Sequence, residues 1–252
     1  MPDNARQAQK KLKIDEAVLA KSEFQRSQMA ARLNWLRAGV LGANDGIMST
    51  SGMVLGVAGA SSTDSSAILV AGVAAVVAGS ISMAGGEYTS VSAQRDSEKA
   101  ALEIERIELR ENPEVELREL AWFYEEKGIS PELAEQVARE LTAKDALKAH
   151  AEAEFGIDAG NHVSPSQAAL SSLIAFAAGG VLPLLSITGP WVEFRIQATI
   201  AATILSLGLT GYVGAKLGGA KPLGGIVRNL AVSLLTMGIT YAIGTLVGTH
   251  LA

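Results

Sequence analysis

Apolar residues along the chain fall into five long stretches, and only one of the connections between them is long. The stretches lie at about 35–60, 67–93, 168–188, 196–217 and 226–251. Each is close to the ~20 residues that an α-helix needs to cross the apolar core of a bilayer. The pattern therefore predicts an all-α membrane protein with five transmembrane helices.

The long connection separates the second span from the third, and it is polar and acidic. The apolar pattern of span two stops near Gln94, but no Gly or Pro follows before Pro113. We therefore expect one helix from about Ala67 to Asn112, roughly 69 Å long at 1.5 Å per residue. About 30 Å of that length is enough to cross the bilayer core, so the rest would project into water.

Two further helices complete the predicted insertion. Asn112-Pro113 begins the first of them, with Asn as N-cap and Pro at the first helical position, and Gly128 ends it. Ser130-Pro131 begins the second in the same way, and Gly156 ends it. The sequence thus predicts a three-helix acidic insertion between spans two and three.

These patterns divide the chain into four expected regions. They are a basic amphipathic segment along the membrane surface (1–34), transmembrane helices 1 and 2 (35–94), a Glu-rich metal-binding domain (95–167) and transmembrane helices 3 to 5 (168–252).

Basic residues predict the orientation of the spans in the membrane. Twenty of the 21 Lys and Arg residues lie in or just after the N-terminal segment, in the acidic insertion or near the loop after span four. Only Arg195 falls on the other side. Because cytoplasmic segments carry the excess of Lys and Arg, we expect the N-terminus and the acidic domain in the cytoplasm and the C-terminus outside.

Charge and composition narrow the possible partners. Residues 95–161 hold 18 acidic and 9 basic side chains, a net charge of −9, whereas the rest of the chain has a net charge of +4. The acidic part would repel phosphate, so nucleic acid is not expected as a partner, and a cation is. The chain has no Cys, which excludes disulfides and thiolate metal sites. The first 34 residues lack the apolar core of a cleavable signal peptide.

Ionisable residues inside the predicted spans are candidates for an ion path. Asp45 lies about ten residues into span one, where a carboxylate costs at least ~2.5–3.5 kcal/mol, so it should face a polar cavity or a partner. Asn44, Ser49 and Thr50 could line such a cavity. In span two, Met83 and Glu87 are four residues apart and share a helix face. A thioether and carboxylates suit a borderline dication such as Fe²⁺. The alternative is that Met83 is an ordinary packing residue.

The insertion carries paired carboxylates that could bind further ions. Glu105 and Glu108 are three residues apart on one predicted helix, and Glu116 and Glu119 are three apart on the next. Each pair presents two carboxylates on one face, so the two pairs packed together can surround hard or borderline dications with oxygen. Glu152 and Glu154 on the third helix could close the cluster. The alternative is that these are solvated acidic faces with Arg neighbours.

Span one contains GANDGIMSTSGMVLGVAGA and span two contains SISMAGGEYTSVSAQRD, and the Glu-rich insertion and three more spans follow. This combination resembles the vacuolar iron transporter family. The resemblance implies a dimer of five-span subunits that moves Fe²⁺ or Mn²⁺ out of the cytosol in exchange for protons. It also implies metal-binding roles for residues at matching positions: Asp45, Met83, Glu105, Glu108, Glu116, Glu119 and Glu154.

The chain departs from the plant-type pattern just upstream of Glu154. Two Met residues stand there in that pattern, and their positions are occupied here by His150 and Ala151. His150 could replace one soft ligand, whereas Ala151 has no ligand atom. The short, Ala- and Gly-rich chain without a targeting extension further suggests a bacterial plasma-membrane protein.

The resulting hypothesis is a homodimer embedded in the lipid bilayer that exports Fe²⁺ or Mn²⁺ by proton antiport. Glu87 would lie at the cytoplasmic mouth, and a cytoplasmic carboxylate cluster would capture or sense metal. We expect no enzymatic activity and no prosthetic group, and Fe²⁺ or Mn²⁺ serves as transported and regulatory ion. The alternatives are a membrane-anchored iron-binding oxidase and a metal-sensing membrane protein that does not transport. The oxidase is disfavoured because no Glu-x-x-His motif, typical of di-iron bundles, is present.

Overall fold

The computed structural model describes residues 35–61, 64–157 and 164–251, and every regular element in them is helical. The predicted surface segment at 1–34 and residues 158–163 of the predicted Glu-rich domain lie outside the described residues. The elements are α1 (described over 35–60), α2 (Ser65–Glu111), α3 (Pro113–Glu126), α4 (Pro131–Ala153), α5 (Pro165–Thr188), a 3₁₀ turn (Val192–Phe194), α6 (Arg195–Leu217) and α7 (Pro222–Leu251).

Four helices in the described part of the chain are long and apolar enough to cross a membrane. They are α2, α5, α6 with its preceding 3₁₀ turn, and α7. The first predicted span is helical over 35–60, and the count of five spans stays a prediction. The outer faces of these helices carry apolar side chains such as Leu205 and Leu235, 74% and 64% exposed, as lipid-facing positions do.

The long second helix is continuous across the change from apolar to acidic sequence. It has 47 residues, about 70 Å at 1.5 Å per residue. Contacts divide the described residues into two units. The membrane unit comprises those up to Tyr88 and those from Pro165 on, and the acidic unit comprises those within Thr89–Ser164.

Close helix contacts in the membrane unit depend on glycine. A Cβ at Gly46 of α1 would lie 2.2 Å from the carbonyl oxygen of Phe176 in α5. A Cβ at Gly244 of α7 would lie 1.9 Å from the carbonyl oxygen of Gly56 in α1. Small residues at such crossings let backbones approach and gain van der Waals contact, which drives helix association in lipid. These contacts seat α1 between α5 and α7.

The acidic unit has a small core of its own between α3 and α4. Leu120 and Ala121 of α3 are buried against Ala134 and Ala138 of α4. As the sequence predicts, Pro113 and Pro131 start these helices. The helices end two or three residues before Gly128 and Gly156, whose φ angles of +89° and +63° favour glycine.

The third predicted helix of the insertion is kinked, which the sequence pattern does not indicate. Asp145 has φ −167° and ψ 93°, so α4 consists of two helical segments joined at this residue. The Asp145 Oδ1 accepts a hydrogen bond of 3.1 Å from the backbone N–H of Lys148, as an N-cap side chain does. The kink therefore starts a short second segment, which carries His150.

Candidate metal sites

Asp45, Met83 and Glu87 line one cavity of about 500 Å³ in the membrane unit. Asp45 comes from α1, and Met83 and Glu87 come from one face of α2. Phe176 of α5 and the small residues Ala75, Ala78, Gly79, Ser82 and Gly86 complete most of the wall. Small side chains leave the space open, so oxygen and sulfur donors face a common volume.

One of the three polar residues expected to line a cavity with Asp45 does so. The Ser49 hydroxyl, one turn along α1, donates a hydrogen bond of 2.9 Å to the Asp45 Oδ1, and Ser49 also lines the cavity. The other two expected lining residues lie elsewhere. Thr50 is fully buried, and Asn44 accepts a short hydrogen bond from Thr210 of α6 and faces a different cavity. The helical periodicity of α1 accounts for this, because neighbouring residues point about 100° apart.

Glu87 has a cationic neighbour that the sequence did not indicate. The Arg37 Nη2 lies 3.9 Å from the Glu87 Oε1. The Glu87 side chain is only 14% exposed, whereas that of Arg37 is 65% exposed. A contact of this length with a largely exposed guanidinium is weak, so Glu87 can exchange this partner for another cation at little cost.

Three residues of the acidic unit present ligand atoms to one point. Glu105 of α2, His150 of α4 and Glu154 just after α4 each offer one such atom, and these atoms all lie within 4.8 Å of one another. Glu105 and His150 are buried, whereas Glu154 is exposed at the edge of the group. Two carboxylates and an imidazole are a donor set for a borderline dication such as Fe²⁺ or Mn²⁺.

The imidazole of His150 is fully buried, and neither of its nitrogens forms a hydrogen bond with any of the described residues. The Nδ1 lies 2.9 Å from Glu105 Oε1 and 3.8 Å from Glu116 Oε2, but the nearer contact lacks the alignment of an N–H···O bond. Burial lowers the pKa of His150, so the ring is neutral and the contact is not an ion pair. A neutral imidazole with an unused lone pair is ready to ligate a metal.

The carboxylates of this cluster hold their protons more tightly than isolated ones. Burial, the charges of Glu154, Glu116 and Glu108, and a hydrogen bond with Glu154 raise the pKa of Glu105 to about 7. Burial, followed by the charges of neighbouring Glu residues, raises the pKa values of Glu116 and Glu154. A bound dication would relieve both the mutual repulsion and the need for protons.

The remaining predicted ligands lie around this group. Glu108 is exposed and Glu119 is half-buried, and both act on the pKa of Glu116 and of Glu154 through their charge. Glu152, which we expected to help close the cluster, is exposed and lies 3.8 Å from the Nζ of Lys148. Its position two residues before Glu154 places it on another side of the helix.

Comparison with known proteins shows the family of this chain. The family model described as the VIT family matches residues 36–245, which is most of the chain and includes both sites. The chain belongs to the VIT family.

Curated relatives support the assignment. A protein of Acanthamoeba castellanii named "Vacuolar iron transporter" is 44% identical over 215 residues, covering 84% of this chain and 78% of its own length. Rice "Vacuolar iron transporter homolog 1" is 36% identical over 222 residues, with 87% and 77% coverage. Rice "Vacuolar iron transporter homolog 5" is 34% identical and covers 96% and 94% of the two chains. With its apolar helices, this VIT-family chain is an integral, multi-pass membrane protein.

Proposed function

We propose that the chain exports Fe²⁺ or Mn²⁺ from the cytosol through the cavity lined by Asp45, Met83 and Glu87, in exchange for protons. The shared cavity is the observation that carries the proposal, because it brings two carboxylates and a thioether from two helices to one space. A carboxylate deep in a membrane is costly unless a partner or an ion compensates its charge. The printed names of the relatives, vacuolar iron transporters, support iron as the cargo.

Proton exchange follows from the chemistry of the donors. A dication in the cavity must lose most of its water, and carboxylate oxygens replace part of that shell. A proton that binds the same carboxylate removes the charge that holds the metal, so a more acidic outer side favours release there. Glu87 would receive the ion at the cytoplasmic mouth and exchange Arg37 for it. The orientation assumed is the one that the basic residues predict.

The acidic unit would capture or sense metal before transport. Glu105, His150 and Glu154 form its centre, and Glu108, Glu116 and Glu119 add negative charge around it. Because α2 carries Met83, Glu87 and Glu105 in one unbroken helix, we propose that metal bound to the cluster biases the mouth through this helix. This assignment treats the metal as cargo and regulator, and the protein as a non-enzyme.

We propose a homodimer of five-span subunits in the bacterial plasma membrane as the working form. Apolar side chains on the surface of the acidic unit support a contact between copies, since such side chains are usually covered. They include Ile104, Trp122 and Leu133, each more than half exposed.

Flux into sealed vesicles tests the transport proposal. Vesicles with reconstituted protein, an acidic interior and Mn²⁺ or Fe²⁺ outside should accumulate metal, and a protonophore should stop the uptake. Metal that binds without accumulating would instead support the non-transporting sensor. Iron that is oxidised at the cluster without entering the vesicle would support the oxidase.

Two methionine variants connect this assay to the cavity. Met83→Leu keeps the volume but removes the thioether, so uptake of Fe²⁺ should fall. Met237→Leu is the matched control, because Met237 is a buried core residue of α7 outside the cavity. If the two variants transport equally well, Met83 is only a packing residue and its assigned role as ligand is wrong.

A further inference from the structure

A second cavity in the membrane unit has a different chemistry from the metal cavity. It measures about 360 Å³ and lies where α1 begins, α6 ends and α7 begins. Its polar lining residues are Arg37, Asn44, Thr210, Arg228 and Asn229, and no acidic side chain among the described residues lines it. A cavity that offers two guanidinium groups and two side-chain amides, without a carboxylate, selects for an anion.

The surroundings of this cavity reinforce its positive charge. The described residues offer Arg228 no ion-pair partner, and its side chain is exposed. Lys216 and Lys221 lie close by in sequence, at the end of α6 and in the turn before α7. The first turn of α7 holds no acidic residue, so its positive end adds to the potential there.

The depth of the cavity indicates which anions reach it. The helices α6 and α7 are both candidate membrane spans, and the turn between them, residues 218–221, marks one membrane surface. A cavity at this level meets the headgroup layer, and basic pockets between membrane helices on the cytoplasmic side bind anionic headgroups. We propose that this cavity binds a phosphate group, supplied by an anionic lipid headgroup, through Arg37 and Arg228.

Arg37 connects this site to the metal cavity. Arg37 lines the phosphate cavity, and its guanidinium lies 3.9 Å from the carboxylate of Glu87, which lines the metal cavity. Phosphate oxygens form charge-assisted, bidentate hydrogen bonds with guanidinium, which are stronger than a contact of 3.9 Å with a carboxylate. An occupied phosphate site therefore draws Arg37 away from Glu87 and leaves that carboxylate free for a dication. This second step rests on the proposed transport function, whereas the binding site does not.

Lipid binding to the full chain tests the site without any transport measurement. Native mass spectrometry in neutral detergent would compare phosphatidylglycerol, phosphatidylcholine and inorganic phosphate. Arg228→Gln should weaken phosphatidylglycerol binding about fivefold, the factor that matches ~1 kcal/mol for one basic side chain near anionic lipid. Lys221→Gln is the matched control, because it removes the same charge from the adjacent turn without lining the cavity.

The outcomes separate the possible ligands. If phosphatidylglycerol binding weakens in Arg228→Gln but not in Lys221→Gln, the lipid site is supported. If only the binding of inorganic phosphate weakens in Arg228→Gln and not in Lys221→Gln, the site is supported with a soluble ligand. Equal binding of phosphatidylcholine and phosphatidylglycerol, or equal effects of the two variants, would overturn it. Arg37→Gln provides a second variant of the same cavity, with the same loss expected.

The coupling step has its own test in vesicles. Metal uptake by the wild type should rise when phosphatidylcholine vesicles receive phosphatidylglycerol, and Arg228→Gln should lose that rise while keeping its rate in phosphatidylcholine alone. If lipid binding depends on Arg228 but uptake does not respond to lipid, the site stands and its coupling to Glu87 is refuted. If no uptake occurs in any vesicle, the proposed transport function fails, and the binding result still decides the site.

Discussion

Glu105→Gln gives a sharp test of the acidic cluster, because it should stabilise the metal-free protein and weaken metal binding at once. Glu105 is 1% exposed and lies among the charges of Glu154, Glu116 and Glu108. Glutamine keeps nearly the same shape but never carries a charge. The two effects have opposite signs, and a residue that only supports the fold would not produce both.

The pH dependence of the first effect follows from the raised pKa. Glu105 has a pKa of about 7 in the folded chain and 4.5 as an ordinary glutamate. Its proton therefore favours the folded state fully below pH 4.5, and that contribution is lost as the pH rises through 7. One pKa unit corresponds to 1.36 kcal/mol. With allowance for solvent screening, the unfolding free energy of the wild-type acidic unit should therefore fall by about 1–3 kcal/mol between pH 5 and pH 8. Glu105→Gln should lose this contribution and keep only the smaller pH dependence that the raised pKa values of Glu116 and Glu154 supply.

The second effect is on metal affinity. Removal of one ligand oxygen should weaken Mn²⁺ or Fe²⁺ binding at least about tenfold, since even residues behind a metal ligand contribute that much. In the wild type, affinity should rise about tenfold per pH unit up to pH 7, because the metal displaces the Glu105 proton. The slope should be shallower in Glu105→Gln, where the raised pKa of Glu154 supplies what remains of it.

Hydrogen exchange in the full-length, chelator-treated protein measures the local stability of α3 and α4 directly. Glu103→Gln is the matched control, since Glu103 is on the same helix but is largely exposed and lies beside Arg106. The control should show wild-type pH dependence and wild-type metal affinity. If the amides of α3 and α4 exchange as fast in metal-free Glu105→Gln as in the wild type at pH 8, the buried charge of Glu105 does not destabilise the acidic unit and the prediction is refuted.

Three further predictions concern the other parts of the two sites. His150→Ala should lower metal affinity at least about tenfold, and His150→Met should restore binding with a shift toward softer ions, both measured by titration. Asp145→Ala should destabilise the second segment of α4 by about 0.5–2 kcal/mol through the lost N-cap, visible in hydrogen exchange, whereas Asp145→Asn should retain most of it. Gly79→Ala should destabilise the membrane unit by about 1–3 kcal/mol, because its Cβ would lie 2.2 Å from the buried ring of Phe176. Gly208→Ala, with nothing within 4 Å of its Cβ, should be neutral in the same thermal-unfolding measurement.

The helical framework could be predicted because its signals are local. The absence of proline before Pro113 predicts the long continuous α2, and the two proline-led starts predict α3 and α4. The kink at Asp145 escaped prediction because no Gly or Pro marks it, and its only signal is an Asp three residues before the N–H that it caps. Such Asp residues are common in helices and rarely break them.

Residue types and the family resemblance predicted candidate ligands of the two sites, but not the contacts between them. Helical spacing puts Met83 and Glu87 on one face, but nothing in the sequence shows that Arg37, fifty residues earlier, lies beside Glu87. The burial of His150 against Glu105 likewise depends on how α4 packs after its kink. Contacts between helices distant in sequence depend on packing, which periodicity does not encode.

The central claim is that the cavity shared by Asp45, Met83 and Glu87 carries the ion, and uptake by Asp45→Asn in reconstituted vesicles tests it most directly. Asp64→Asn is the matched control, because Asp64 is an exposed carboxylate outside the cavity that accepts a 2.9 Å hydrogen bond from the N–H of Ala67, and asparagine can also accept it. We predict that pH-driven Mn²⁺ or Fe²⁺ uptake falls to the level of protein-free vesicles in Asp45→Asn and stays at the wild-type rate in Asp64→Asn. Full uptake by Asp45→Asn would contradict the account.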